Sequence, residues 1–120
     1  VVTSSPGPQN NGYTMTGLAS PSASNIGNEQ FGINLVANTS PATFGAIPVQ
    51  KPDSSFSFGT VAAGYGTANQ YKYVNGDTIA SSTRSSGETD YTISYIYNIS
   101  NVTPGGVYKL LHSIVATSTY

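Results

Sequence analysis

The amino-acid sequence predicts an all-β protein, an antiparallel β-sandwich of jelly-roll or Ig-like type with about 7 to 8 strands and a flexible N-terminal arm. Three observations lead there. Short runs rich in Val, Ile, Tyr, Phe and Thr are separated by clusters of Gly, Pro, Asn and Ser, the composition of strands and turns. No window keeps its apolar residues at helical spacing, and the strand-like runs recur roughly every 8 to 12 residues. The 120 residues make one domain, large enough to bury a core without staples.

Residues 1–12 contain Ser4-Ser5-Pro6-Gly7-Pro8 and Asn10-Asn11-Gly12, too many breakers for regular structure, and read as the flexible arm. The sandwich domain then spans 13–120. Residues 13–18 make a short first strand. Phe31, Ile33, Leu35 and Ala37 alternate with Gly32 and Asn34, the pattern of a half-buried strand. Phe56 and Phe58 share a face, and 61–69, rich in Gly and Ala, is an irregular loop. Tyr71 and Tyr73 lead into Asn75-Gly76, which predicts a two-residue hairpin turn returning through 77–80.

The clearest alternation is Tyr91, Ile93, Tyr95, Tyr97 and Ile99 on one face, with Thr92, Ser94 and Asn98 on the other and Ile96 as the exception. After Pro104-Gly105-Gly106 the chain reads as one long strand over 107–120. Tyr108, Leu110, Ile114, Ala116 and Tyr120 lie on one side of it and Val107, Leu111 and Val115 on the other. A strand apolar on both sides is central or covered by something else.

Charged residues are only 8%, with a net charge of −1, against about 25% in an ordinary soluble domain. Such a surface leaves strand edges open to pairing between copies. Four Lys plus Arg supply no basic field for nucleic acid, and no apolar run approaches the roughly 20 residues that span a bilayer. The chain begins at Val1 without an initiator Met, which is what removal of a signal peptide leaves. A secreted, extracellular or cell-surface chain is the expectation. Absence of cysteine suits an exported bacterial domain built on a β-core.

The stretch Thr103-Pro104-Gly105-Gly106-Val107-Tyr108, running into Ile114-Val115-Ala116-Thr117-Ser118-Thr119-Tyr120, resembles the end of secreted bacterial β-sandwiches of the surface and pilin-like kind. There a TPxGxY turn precedes a final strand. The resemblance covers about the last fifth of the chain and implies a cell-surface sandwich. Cell-wall-binding WxL domains share a similar turn, but this chain has no Trp, so their peptidoglycan binding does not carry over. No LPxTG-like sorting segment follows either.

Among groups that carry chemistry, His112 is the sole histidine, so a Ser-His-Asp or metal mechanism would have to use it; its place beside Leu110 and Ile114 reads as structural. Glu88 and Asp90, two apart, would share a face with Asp77 or Asp53 around a hard cation, but the spacing matches no Ca²⁺ loop. Gly64-Tyr65-Gly66 lacks the third glycine, the Lys and the helix of a phosphate loop. No catalytic residue, cofactor or metal is implied. Tyr71, Tyr73, Tyr91, Tyr95 and Tyr97 would offer a sugar-stacking platform if exposed, and cross-strand packing otherwise. Asn38, Asn98 and Asn101 each begin an N-x-S/T triplet, which permits glycosylation.

These readings lead to a non-enzymatic structural subunit of an extracellular filament, pilus or surface layer, a homopolymer assembled by strand donation. Val1 and Val2, or Tyr13, Met15 and Leu18, are the candidate anchors of the donated segment. Val107, Leu111 and Val115 are the candidate interface on the last strand. The alternative is a cell-surface module that binds carbohydrate, with surface glycans as partners.

Overall fold

The computed structural model describes residues 1–85 and 87–118. Ten strands form among them: β1 (Val2–Thr3), β2 (Gln9–Asn10), β3 (Tyr13–Thr14), β4 (Gln30–Asn34), β5 (Val49–Lys51), β6 (Gly59–Val61), β7 (Ala80–Ser82), β8 (Glu88–Asp90), β9 (Ser94–Asn98) and β10 (Ile114–Val115). The described residues contain no helix, hence none long and apolar enough to cross a membrane. All-β is therefore the observed class. The strands are shorter than the alternation implied, because Gly, Pro and Asn interrupt nearly every run.

The ladders are antiparallel and two-stranded: β1 with β10, β2 with β3, β4 with β9, β5 with β8, and β6 with β7. The last three are nested, so the chain from β4 to β9 folds back on itself like one long bent hairpin. Single bridges extend the pairing, among them Ile33 with Lys72 and Val2 with Thr78.

At the centre lies β4. All five of its residues are buried, where alternation predicted a half-buried strand. Phe31 and Ile33 face Tyr97 and Tyr95 of β9 and join Met15, Leu35, Tyr65, Tyr73, Ile79 and Ala80 in the core. The opposite face is closed too. A Cβ on Gly32 would come within 2.8 Å of the Tyr71 Cβ, so only glycine lets that chain approach. Asn34 is satisfied there by Asn38, with reciprocal amide bonds of 2.6 and 2.9 Å.

Three expectations need correction. The arm at 1–12 is part of the fold: β1 and β2 lie in it, and Thr3, Ser5, Pro8 and Asn10 are buried. Its breakers serve as turns, since Asn11 and Gly12 have φ of 46° and 86° and close the β2–β3 hairpin with the two positive angles of a type I′ turn. The hairpin expected at Asn75-Gly76 does not form. Gly76 alone is positive there, at 89°, and the Asp77 N–H bonds the Val74 carbonyl at 3.1 Å, a tight turn whose flanks pair with other segments.

The long last strand is replaced by β10 and a single bridge from Lys109 to Gln9. Tyr108 and Leu110 pack against the core, whereas Val107 and Leu111 are 73% and 87% exposed. Only one side of that strand is covered. Its expected continuation through Thr119 and Tyr120 lies outside the described residues, as does Ser86 in the loop expected at 81–87. On β9, Ser94 and Ile96 are buried while Tyr97, and Ile99 just beyond the strand, are exposed, so the regular face leaves the core at its C-terminal end.

Candidate functional site

The most distinctive arrangement is the slot that holds residues 1–5. In an extended strand, successive backbone groups point to opposite sides, and here both sides are taken. Toward 76–80, the Val1 carbonyl accepts the Ile79 N–H at 2.9 Å, the Thr3 N–H donates to Asp77 at 3.0 Å, and the Gly76 N–H donates to Thr3 at 2.8 Å. Toward β10, Val2 and Thr3 pair with Val115 and Ile114. The Ser4 N–H then donates to Ser113 at 2.9 Å, and the Ser113 N–H to the Ser5 hydroxyl at 2.6 Å. The Val1 side chain packs on the core and Thr3 is fully buried.

Beneath this strand runs a chain of polar groups. The Tyr95 hydroxyl lies 2.6 Å from Nδ1 of His112, and Nε2 of the same ring contacts the Thr3 hydroxyl. Thr3 donates onward to the Tyr73 hydroxyl at 3.5 Å, and Tyr73 to the Ser5 carbonyl at 2.6 Å. With the Thr3 hydroxyl donating to Tyr73, Thr3 accepts from Nε2–H and Nδ1 accepts from Tyr95, the tautomer in which every link is paired. Burial pushes the His112 pKa below its ordinary value, since the charged ring would lose water.

The wall at 76–80 is braced by an ion pair. Asp77 receives Lys72 Nζ at 2.8 Å and the Tyr65 hydroxyl at 2.7 Å. The bonds from Lys72 and then Tyr65 hold its carboxyl below the usual carboxylate range. Burial, followed by the Asp77 carboxylate, pushes the Tyr65 phenol far up. Thus the Asp77 side chain is held by contacts outside the slot.

The other expected residues fall as follows. Val1 and Val2 are in the slot, and Val115 forms its wall. Met15 and Leu18 belong to their own domain: Met15 is in the core and the Leu18 N–H donates to Phe31 at 2.8 Å. Tyr13 donates to Glu29 at 2.7 Å. Val107 and Leu111 point away from the core into solvent. Glu88 and Asp90 do share a side, where they hold the Lys51 ammonium at 3.7 and 2.7 Å rather than Asp77 or Asp53. Among the described residues no cluster of three or more His, Asp or Glu is placed to hold a metal ion.

The tyrosine platform is dispersed. Tyr71 and Tyr73 are buried, Tyr91 and Tyr95 half-buried, and only Tyr97 is exposed. Tyr97 instead borders an open apolar cavity of about 310 Å³ with Met15, Ile99, Tyr108 and Leu110. Of the three asparagines, Asn38 is 2% exposed with its amide bonded to Asn34 and Val36. The Asn98 amide donates to Ser24 and Gln30. Asn101 is exposed in a turn.

Sequence reasoning missed the slot because its two walls and the strand between them come from three distant parts of the chain. The Thr3, Tyr73, Tyr95 and His112 relay left no spacing signal for the same reason. No protein-family model matches the chain, and neither a curated protein nor a solved structure matches it.

Proposed function

We propose that this chain is a non-enzymatic structural subunit of an extracellular filament, pilus or surface layer, and that copies join by donating residues 1–5 into one another's slots. One observation carries this reading: residues 1–5 are bonded through their backbone on both sides, to 76–80 and to 113–115. A strand so placed contributes mainly backbone hydrogen bonds and a few side-chain anchors, the chemistry of strand addition. The same segment from another copy would make the same bonds. Pro6, Gly7 and Pro8 follow it directly, and exchange through such a connection is a low-cost route to assembly. The low charge of the chain leaves little repulsion between copies. The nested pairs β4–β9, β5–β8 and β6–β7 support a jelly-roll as the finer architecture.

Absence of catalysis is part of the reading: the hydroxyl nearest the sole imidazole belongs to Thr3, which is fully buried, out of reach of a substrate. The alternative, a carbohydrate-binding module, would rest on Tyr97 and Tyr108 beside the open cavity.

The chain lacks cysteine, so a Val2→Cys, Val115→Cys pair gives a clean test. Directly opposite antiparallel residues have Cα atoms about 4.5 to 5.5 Å apart, within disulfide reach. Oxidised as a monomer, this variant should stay monomeric in negative-stain micrographs and form filaments after reduction. Oxidised after assembly, it should run as a covalent ladder without reductant. Uniform monomers of the reduced and wild-type proteins at high concentration, or filaments from the internally crosslinked monomer, would overturn the reading.

A further inference from the structure

We propose that protonation of His112 unlatches residues 1–5 from the slot, so that mild acid frees the strand for exchange between copies. The inference rests on the strand-donation reading for its consequence, but the latch itself is a property of the single chain.

With the Thr3 hydroxyl donating to Tyr73, the proton arrangement of the relay follows. Tyr95 donates to Nδ1 at 2.6 Å, Nε2–H donates to Thr3, Thr3 to Tyr73, and Tyr73 to the Ser5 carbonyl. Two of these links, at Thr3 and Ser5, hold the slotted strand. Adding a proton at Nδ1 turns that nitrogen into a donor facing a donor. The Tyr95 oxygen can then only accept from the ring, so its own proton loses the one hydrogen bond that this hydroxyl makes among the described residues. Charge then sits against a fully buried Thr3, where unpaired charge is costly.

Among the described residues no carboxylate bonds to the ring. The rings of Tyr73 and Tyr95 stand edge-on to the imidazole at 5.8 and 5.7 Å. On the far wall, the Asp77 carboxylate is already taken by Lys72 and Tyr65. The Val1 ammonium donates to the Ala80 carbonyl, and Lys109 on the same segment as His112 is itself cationic. Burial lowers the imidazole pKa from 6.5, so the latch is fully closed above that value and is lost as pH falls through the lowered one.

Hydrogen exchange on the intact chain tests this without reference to assembly. Between about pH 7.5 and about pH 5, protection of the Thr3 and Ser4 amides, corrected for intrinsic rate, should fall several-fold. The Ile33 and Leu35 amides should stay unchanged. His112→Gln should abolish the difference. If that variant does not fold, Tyr95→Phe serves instead: with no donor at Nδ1, the titration of the sole imidazole, read by NMR, should move upward and the loss of protection with it.

Equal protection of Thr3 and Ser4 at both pH values, or an acid loss that persists in His112→Gln or keeps its midpoint in Tyr95→Phe, overturns the latch. Protection that falls as expected while no filament forms at either pH would leave the latch standing and remove strand donation.

Discussion

Lys72 and Asp77 form the less exposed of the carboxylate–ammonium contacts, with Nζ 2.8 Å from Oδ2 and side chains 20% and 31% exposed, while the Asp77 backbone carbonyl receives the N–H of Thr3 at 3.0 Å. One residue thus joins the packed wall of the slot to the strand within it. Asp77→Ala removes the bonds to Lys72 and Tyr65 and should lower stability by about 1 to 2 kcal/mol in chemical denaturation. Because the folded-state carboxyl titrates below its ordinary value, its contribution is complete above about pH 4 and disappears as pH falls through the lowered value. An Asp77→Ala protein as stable as the intact one at neutral pH, or one that loses as much stability on acidification, would show that the pair does not brace the wall.

Glycines separate two kinds of constraint. Gly12 has φ of 86° and open space where a Cβ would project, so Gly12→Val should cost about 1 to 2 kcal/mol through the backbone alone, with Gly12→Asn largely tolerated. Gly32 has no such angle, but an added Cβ would meet Tyr71, Leu18 and the Lys72 nitrogen at 2.8 to 3.2 Å. Gly32→Ala should therefore cost about 1 to 3 kcal/mol by overpacking, and asparagine there should be worse than alanine. A melting series in which asparagine ranks the same way at both positions would refute this division.

Ser94 and Ile33 test the two faces of the central pair. The Ser94 hydroxyl is buried without a hydrogen-bond partner, so Ser94→Ala should be neutral or stabilising, by up to about 1 kcal/mol. Ile33 is fully buried in the core, and Ile33→Ala should cost about 2 to 5 kcal/mol. Similar losses in urea melts would mean that the hydroxyl is satisfied after all.

What the sequence revealed follows from the range of the forces involved. Alternation placed Phe31, Ile33 and Leu35 in the core, because a period of two depends only on neighbours. It misjudged Gly32 and Asn34, whose burial depends on Tyr71, Leu18 and Asn38 arriving from elsewhere. Turn chemistry behaved likewise: Asn-Gly does close a type I′ hairpin, but at Asn11-Gly12, where both flanks can pair, and not at Asn75-Gly76, where Thr3 takes the Gly76 N–H. The arm looked mobile because Ser, Pro and Gly have no partners within 1–12. Its partners are 76–80 and 109–115, and local sequence carries no record of them.

Removing residues 1–5 tests the slot most directly. Deletion leaves the N–H groups of Ile79 and Gly76 and the carbonyls of Asp77 and Ser113 without their bonds to Val1, Thr3 and Ser4, and it uncovers the core beside Val1. Two unpaired strand edges then face one another across a gap one strand wide, a template for any extended chain. The shortened protein should melt lower and aggregate more readily than the intact one. A synthetic peptide of residues 1–8 should reverse both effects in a saturable manner, and a peptide with Thr3→Pro should fail, because proline removes the N–H that bonds Asp77. The contrast between the peptides isolates backbone pairing from nonspecific apolar contact. Equal rescue by the two, or a truncated protein as stable as the intact chain, would show that residues 1–5 do not complete the sheet.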